Sequence, residues 1–406
     1  MSETLHSRTA GVKLGTADSA CREVRLFDVS PDGKNLAYAG PCTVGSDTLF
    51  GLWQDGALVT VADRITDLQF TSQGELWFVA AKDGQAYVFL AGKTGPLYER
   101  VSRQSIINSP DGTTIAYAAC RNGKWRVITQ AAGTASRPRL YEGKEYAGVG
   151  LPFFGNDGRT LIYPAFAGGQ FGPAKRFVVT GTQEGKMYVS DYLGWVKKSP
   201  DGARLAYVVA QDGKAFVVEN ERAGTKYDDV GWLQFTPGSP RLVYAAKAHG
   251  QYSIVRDGYP LRDHYDDISF PAFSTEGSKL AFVARAGNKE FVVTGGLRGP
   301  RFDQILLPQF SPNGRRLGYI ARQGNKWYAV IDSRAGRPYD EVSWLLWSPA
   351  STDYAYRARI GNKYRAILNG AESQDFDEIG RVQFSLDGSG LSYAARQGRS
   401  FFLQRD

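Results

Sequence analysis

Cysteine and histidine are scarce in this 406-residue chain, with three of each. The cysteines, Cys21, Cys42 and Cys120, are odd in number and too few to form a disulfide framework. No Cys-x-x-Cys, His-x-x-x-His or calcium-loop pattern accompanies them, so no metal and no cofactor is expected. Apolar runs are short, four to seven residues as at Leu280 to Ala284, and are bounded by Gly, Asn, Asp or Pro. Nothing approaches the roughly 18 apolar residues of a membrane-spanning helix. Helical periodicity is hard to find anywhere. The first residues, M-S-E-T-L-H-S-R-T-A, lack the apolar core of a signal peptide. That reads as a cytoplasmic protein; the alternative is a periplasmic or extracellular one whose leader was removed. Charge is nearly balanced, 49 basic against 41 acidic residues, and a net +8 argues only weakly for an acidic partner.

What the chain has instead is turns and aromatics: 47 glycines, 22 Phe and 22 Tyr, the composition of many short strands. A turn followed by Leu-x-aromatic recurs, with its aromatic at Tyr38, Phe78, Tyr117, Tyr163, Tyr207, Tyr244, Phe282, Tyr319, Tyr356 and Tyr393. The spacing settles at 37 or 38 residues over the last five steps. The unit from Phe302 shows the logic. F-D-Q-I-L-L-P-Q-F predicts a first strand, S-P-N-G a tight turn and R-L-G-Y-I-A-R a second strand. Q-G-N then predicts a hairpin turn, K-W-Y-A-V-I-D a third strand, and G-R-P-Y a short fourth. Four antiparallel strands per repeat describe propeller blades. The fold class expected is all-β: one closed β-propeller of ten four-stranded blades spanning 1–406, with blades beginning near 21, 62, 98, 146, 190, 227, 265, 302, 339 and 376. The last repeat stops after its third strand, so residues 1–20 are expected to close the ring as its missing strand.

The unit S-P-D-G-x-x-[LI]-A-Y, present at Ser30, Ser109 and Ser199, resembles the TolB-like propeller repeat, which also forms the propeller of prolyl oligopeptidases. The resemblance covers essentially the whole chain and implies a fold, not an activity. The chain departs from that pattern in its ten repeats, where six to eight are usual. It also carries no Gly-x-Ser-x-Gly nucleophile elbow, so no hydrolase domain is implied.

A second regularity concerns charge. An Asp opening the first strand is followed nineteen residues later by Lys or Arg: Asp63 and Lys82, Asp228 and Lys247, Asp266 and Arg285, Asp303 and Arg322, Asp340 and Arg359, Asp377 and Arg396. Opposite residues of a hairpin have a constant index sum, which predicts six cross-strand ion pairs within single blades. The same index-sum rule, applied about the turn at Asp32 and Gly33, places Cys21 across from Cys42, within reach of a disulfide in an oxidising compartment, and leaves Cys120 unpaired.

Blades 3 to 5 break these rules. Blade 4 has the longest loop, A-F-A-G-G-Q-F-G-P-A-K-R, and blade 5 carries Lys197 and Lys198 where its neighbours have Gln-Phe or Leu-Trp. Variable loops on a rigid scaffold are where binding concentrates, so Phe166, Phe171, Lys175, Arg176, Lys197 and Lys198 are candidate ligand or partner contacts. His249, His264, Asp266 and Asp267 form a second candidate cluster, polar and suited to acid–base or weak metal chemistry; the plain alternative is solvated loop histidines. Aromatics mostly occupy anchor positions and the only dense basic spots are Lys175-Arg176 and Lys197-Lys198, which argues against nucleic acid. The reading is a monomeric, non-enzymatic scaffold binding a protein or small ligand on one face or in a central channel. Two alternatives stay open: a lyase or hydrolase with its site at the channel mouth, and a structural subunit of a larger assembly.

Overall fold

A computed structural model of the chain describes residues 20–21, 25–32, 34–44, 46–132, 139–168, 174–380, 382–384, 390–397 and 400–405. Every regular element among them is a β-strand. The strands pair into ten antiparallel sheets, nine of four strands and one of six. The six-stranded sheet is blade 4, whose first strand is broken into Gly148–Val149 and Phe153–Phe154 and whose outer strand is broken into Gln183–Glu184 and Tyr188–Ser190. The closing strand expected within residues 1–20 falls on residues of which 1–19 lie outside the described ones.

The chain divides into two compact units, Met1–Val196 with Val209–Asp212, and Lys197–Val208 with Gly213–Asp406. Blades 1 to 4 belong to the first and blades 6 to 10 to the second. The dividing line runs through blade 5.

Blade 8 shows why the sequence folds this way. Its strands are Gln304–Phe310, Leu317–Gln323, Lys326–Ile331 and Arg334–Ala335, paired in chain order. The buried Ser311 explains the serine of the Ser-Pro-x-Gly turn. Its hydroxyl donates to Asn313 Oδ1 at 2.8 Å and accepts the Arg316 amide at 3.1 Å. Ser30, Ser109 and Ser199 make the same two bonds in their own turns. A side chain thus saturates the backbone that the tight turn leaves unpaired.

In blades 1 to 9 the second strand is buried on both faces, and period-two alternation divides its side chains between two cores. In blade 7, Ala281 and Val283 pack with Phe302, Ile305 and Tyr319 of the blade-8 side. Phe282 and Ala284 pack with Trp232, Val243 and Ile254 of blade 6. The core is therefore a series of apolar layers, each shared by two neighbouring sheets within a unit.

In seven of the ten repeats an aromatic opens the repeat and belongs to the preceding sheet. Phe302 bridges Glu290 on the third strand of blade 7, and its ring meets Tyr319 of blade 8 edge-on at 6.4 Å. The same pairing joins Tyr98 to Tyr117, Tyr146 to Tyr163, Tyr227 to Tyr244, Tyr265 to Phe282, Tyr339 to Tyr356 and Phe376 to Tyr393, all at 5.8–6.5 Å. Tyrosine at this position also reaches an acid on the next sheet: Tyr339 donates to Glu372 at 2.8 Å and Tyr146 to Glu184 at 3.0 Å.

The charge ladder corrects the sequence expectation. Asp303 does donate its amide to the Arg322 carbonyl, but the residue directly across from Arg322 is Gln304. A bulge between Leu306 and Gln309 adds one residue to the first strand and slips the register by one, which hairpin counting does not see. The side chain of Asp303 turns instead to Lys289 of the preceding blade, at 2.6 Å, and accepts the Gly324 amide of its own hairpin turn at 2.6 Å. Asp340 repeats this with Lys326 and Gly361, both at 2.7 Å. Asp228 pairs with Lys214 and Asp377 with Lys363, each at 2.6 Å. Asp266 and Asp63 keep only the turn contact, to the amides of Gly287 and Asp83. Neither Lys82, Lys247, Arg285, Arg322 nor Arg359 pairs with its expected aspartate; the Arg396 side chain lies outside the described residues. The real ladder joins a Lys to the Asp fourteen residues later and crosses from one blade to the next.

The Lys289 ammonium, then the Gly324 amide, hold the Asp303 carboxyl below its usual value. A depressed folded-state pKa gives stabilisation that is present above the unfolded value near 3.8 and lost as pH falls through the lower folded value. Asp303→Ala is therefore expected to lower the melting temperature at pH 7 more than Arg322→Ala does. The difference between wild type and Asp303→Ala should shrink below about pH 4 in thermal melts.

Candidate binding edge

The described site candidates singled out from sequence lie on the second and third strands of blade 4, at the end of the first strand of blade 5, in a hairpin turn of blade 6 and around the start of blade 7. Phe166 and Arg176 face each other across the second and third strands of blade 4, the guanidinium 5.7 Å from the ring centroid. Arg176 also donates to the Ser190 carbonyl, which holds it within the sheet. The Phe166 ring lies over Gly148, where a Cβ would come within 2.0 Å of it. Lys175 is exposed, whereas Phe171 lies outside the described residues. Lys197 and Lys198 end the first strand of blade 5, Tyr192–Lys198, the former exposed and the latter half-buried.

His249 sits in a hairpin turn with φ of 53°, and its amide bonds to Asp228. Asp266 accepts the Gly287 amide, and Asp267 accepts the Ile268 amide with Arg285 at 3.9 Å. His264 is exposed. Among the described residues no group of three or more His, Cys, Asp or Glu is placed to hold a metal. Cys21 and Cys42 stand across from each other in an isolated antiparallel β-bridge. Cys120 is buried, with Sγ 3.8 Å from Glu99 Oε2.

Hairpin counting missed the first-strand bulges. Among the described residues, four non-glycines of first strands have left-handed backbone: Asp67 (φ 56°), Trp195 (51°), Leu307 (51°) and Trp344 (58°). For bulky residues this conformation is strained by about 1–3 kcal/mol. It is also exposing: Trp195, Leu307 and Trp344 are 45%, 60% and 41% exposed. Two broken or bulged strands of the first unit hold a polar counterpart and another apolar one. Arg103 of blade 3 forms a two-pronged ion pair with Asp67 of blade 2, at 2.5 and 3.1 Å, and Leu151 of blade 4 is largely exposed. The available signal was a break in alternation, Leu-Leu-Pro at 306–308 and Trp-Leu-Leu-Trp at 344–347.

In the second unit these bulges line a cleft of about 530 Å³, formed by the first strands of blades 8, 9 and 10. Leu307, Pro308, Trp344, Leu345, Leu346 and Val382 supply its apolar wall, and Gln309 and Gln383 its polar groups. Gln309 is fixed by donating its amide to the Leu345 carbonyl. Trp344 is propped from behind by Arg357, whose guanidinium carbon is 4.2 Å from its ring centroid. Arg357 is itself held by Glu341 at 2.7 Å, Ser343 at 3.1 Å and the Ile379 carbonyl at 3.1 Å. The indole is thus presented on a rigid support. Such an arrangement suits contact with apolar groups, since the lining carries amides but no carboxylate, imidazole or thiol.

Repeated four-stranded antiparallel blades stacked through shared apolar layers define a β-propeller fold. No family model and no curated relative matches the sequence. Solved structures do. A crystal structure of the eukaryotic initiation factor is 13% identical, with 91% of each chain covered and a TM-score of 0.50. The Dos1 propeller is 14% identical over 95% of this chain and 93% of its own, at a TM-score of 0.38. TolB from Acinetobacter baumannii is 13% identical over 75% and 79%, at 0.29. At 13% identity the likeness to the initiation-factor structure speaks to the fold alone.

If Leu307 serves no folding role, a residue free to adopt positive φ should replace it without penalty. Relief of strain and the unfolded-state cost of glycine act in opposite directions and are of similar size. Leu307→Gly is expected to change unfolding free energy by less than about 1 kcal/mol in urea titrations, whereas a buried core leucine would lose about 2–5 kcal/mol on truncation.

Proposed function

We propose that this chain is a non-enzymatic recognition propeller that docks an apolar segment of a protein partner on the bulged first strands of blades 8 to 10. One observation carries the reading: Leu307 and Trp344 are large, apolar, exposed and held in a strained backbone conformation. Neither exposure nor strain helps the blade fold. Both are explained if the side chains are covered by a partner, since clustered aromatic and aliphatic anchors dominate binding energy at protein interfaces. The neutral lining of the cleft supports docking over acid–base or nucleophilic chemistry.

The test is affinity purification from the native host with wild type and with the Leu307→Gly/Trp344→Gly double variant. Wild type is expected to retain a specific protein that the variant recovers at least about tenfold less, a loss of about 1.4 kcal/mol or more. Melting temperatures of the two baits should agree. Equal recovery of the same partner by both baits would overturn the proposal.

A further inference from the structure

The turn between the third and fourth strands has a recurring cap. In blades 1, 5, 6, 8 and 9 it holds an Asp or Asn with φ between 43° and 51°. That side chain accepts the first amide of the second strand: Asp55 from Leu36, Asn220 from Leu205, Asp257 from Leu242, Asp332 from Leu317 and Asn369 from Tyr354, at 2.8–3.0 Å. In blades 6 and 8 the carboxylate also meets the arginine just before that amide, Arg241 at 3.5 Å and Arg316 at 2.9 Å.

Blade 7 has glycine at this position. Gly295 has φ of 57°, and a Cβ built on it would meet nothing within 4 Å. No side chain is there to accept the Leu280 amide. Blades 2 and 4 also lack the acid, with Ala91 and Gly181, but close the turn by donating that residue's amide to the Leu76 and Leu161 carbonyls. Among the described residues the Gly295 amide makes no such bond. Lys279 stands where Arg241 and Arg316 stand, and its ammonium meets only the Gly314 carbonyl, at 3.0 Å. A cleft of about 650 Å³ opens at this point, sharing no lining residue with the first-strand cleft. Leu261, Phe282, Val293 and Phe310 form its apolar part, and Arg256 and Arg315 its exposed basic part. Two acids also line it: Asp332, already bonded to Arg316 and Leu317, and Asp263, 3.7 Å from Arg298.

We infer that this cleft binds a carboxylate that carries an apolar group. The carboxylate takes the place that Asp257 and Asp332 fill in the neighbouring blades, accepting the Leu280 amide and pairing with Lys279. The apolar group lies against Phe282 and Val293. A free carboxylic acid and the C-terminal apolar residue of a peptide share this chemistry.

Backbone amide shifts of Leu280 and Gly295 report occupancy directly by nitrogen-15 NMR. The probes are 3-phenylpropionate and acetyl-Ala-Phe with a free C-terminus, each beside its primary amide. A saturable shift of Leu280 is expected with a carboxylate, and at least about tenfold weaker binding of the matching amide, because a charge-assisted bond is lost. The tighter carboxylate names the source; equal affinities mean the site reads the shared group alone. Gly295→Asp supplies the cap from within, at a φ that Asp257 and Asp332 already tolerate, and should abolish the response while raising the melting temperature. Lys279→Gln should weaken carboxylate binding about tenfold and leave amide binding unchanged. No saturable shift with either carboxylate, equal binding of the amides, or an undiminished response in Gly295→Asp would each overturn the inference.

Discussion

The edge-to-face contact between the aromatic that ends one sheet and the aromatic in the second strand of the next is the constraint on which the rest depends. At seven joints it places large Tyr and Phe side chains between neighbouring blades. Tyr98, Tyr117, Tyr319, Tyr339 and Phe376 are among the most fully buried of the described residues. Because the contact is geometric as well as apolar, it sets the angle between neighbouring sheets besides excluding water. The repeat length follows from it, since the chain must travel four strands between one such aromatic and the next. Burial also pushes the phenols of Tyr319 and Tyr339 up to about 12, so they stay neutral at any physiological pH.

Charge works at the edges of these joints. The Lys-to-Asp ladder ties the start of the third strand of one blade to the start of the first strand of the next, and the same carboxylates close the hairpin turns. Each such bond is solvent-accessible and modest. Its repetition fixes register where the bulge would otherwise let the first strand slip. With cohesion supplied by aromatic joints and register by the ladder, the bulged segments and the outer turns are free to vary. Both proposed sites fall there: Leu307 and Trp344 on the bulges, Gly295 in an outer turn.

Much of this was legible in the residues. The Leu-x-aromatic spacing marked all ten sheets, and the Gly-Asn and Asp-Gly pairs marked the hairpins. Cys21 and Cys42 stand across from each other as their indices imply. Strand counting failed where backbone departs from a regular ladder. A bulge adds a residue without leaving a composition signal, so the partners of Asp303 and Asp340 were assigned within the blade instead of across the joint. The same bulges turned Leu307 and Trp344 outward, where alternation reads them as core. Arg176 looked free in sequence because nothing there shows that its guanidinium bonds to the Ser190 carbonyl. Gly295 could have been found by aligning the repeats, since Asp or Asn stands at that place in blades 6, 8 and 9.

A double-mutant cycle on Phe302 and Tyr319 tests the aromatic joint most directly, with unfolding free energies measured for wild type, Phe302→Leu, Tyr319→Leu and the double variant. If the edge-to-face contact holds blade 7 to blade 8, the two substitutions are coupled by about 0.5–1.5 kcal/mol beyond their separate costs. Additivity to within about 0.3 kcal/mol would mean that the rings merely fill the apolar layer and that the joint lies elsewhere.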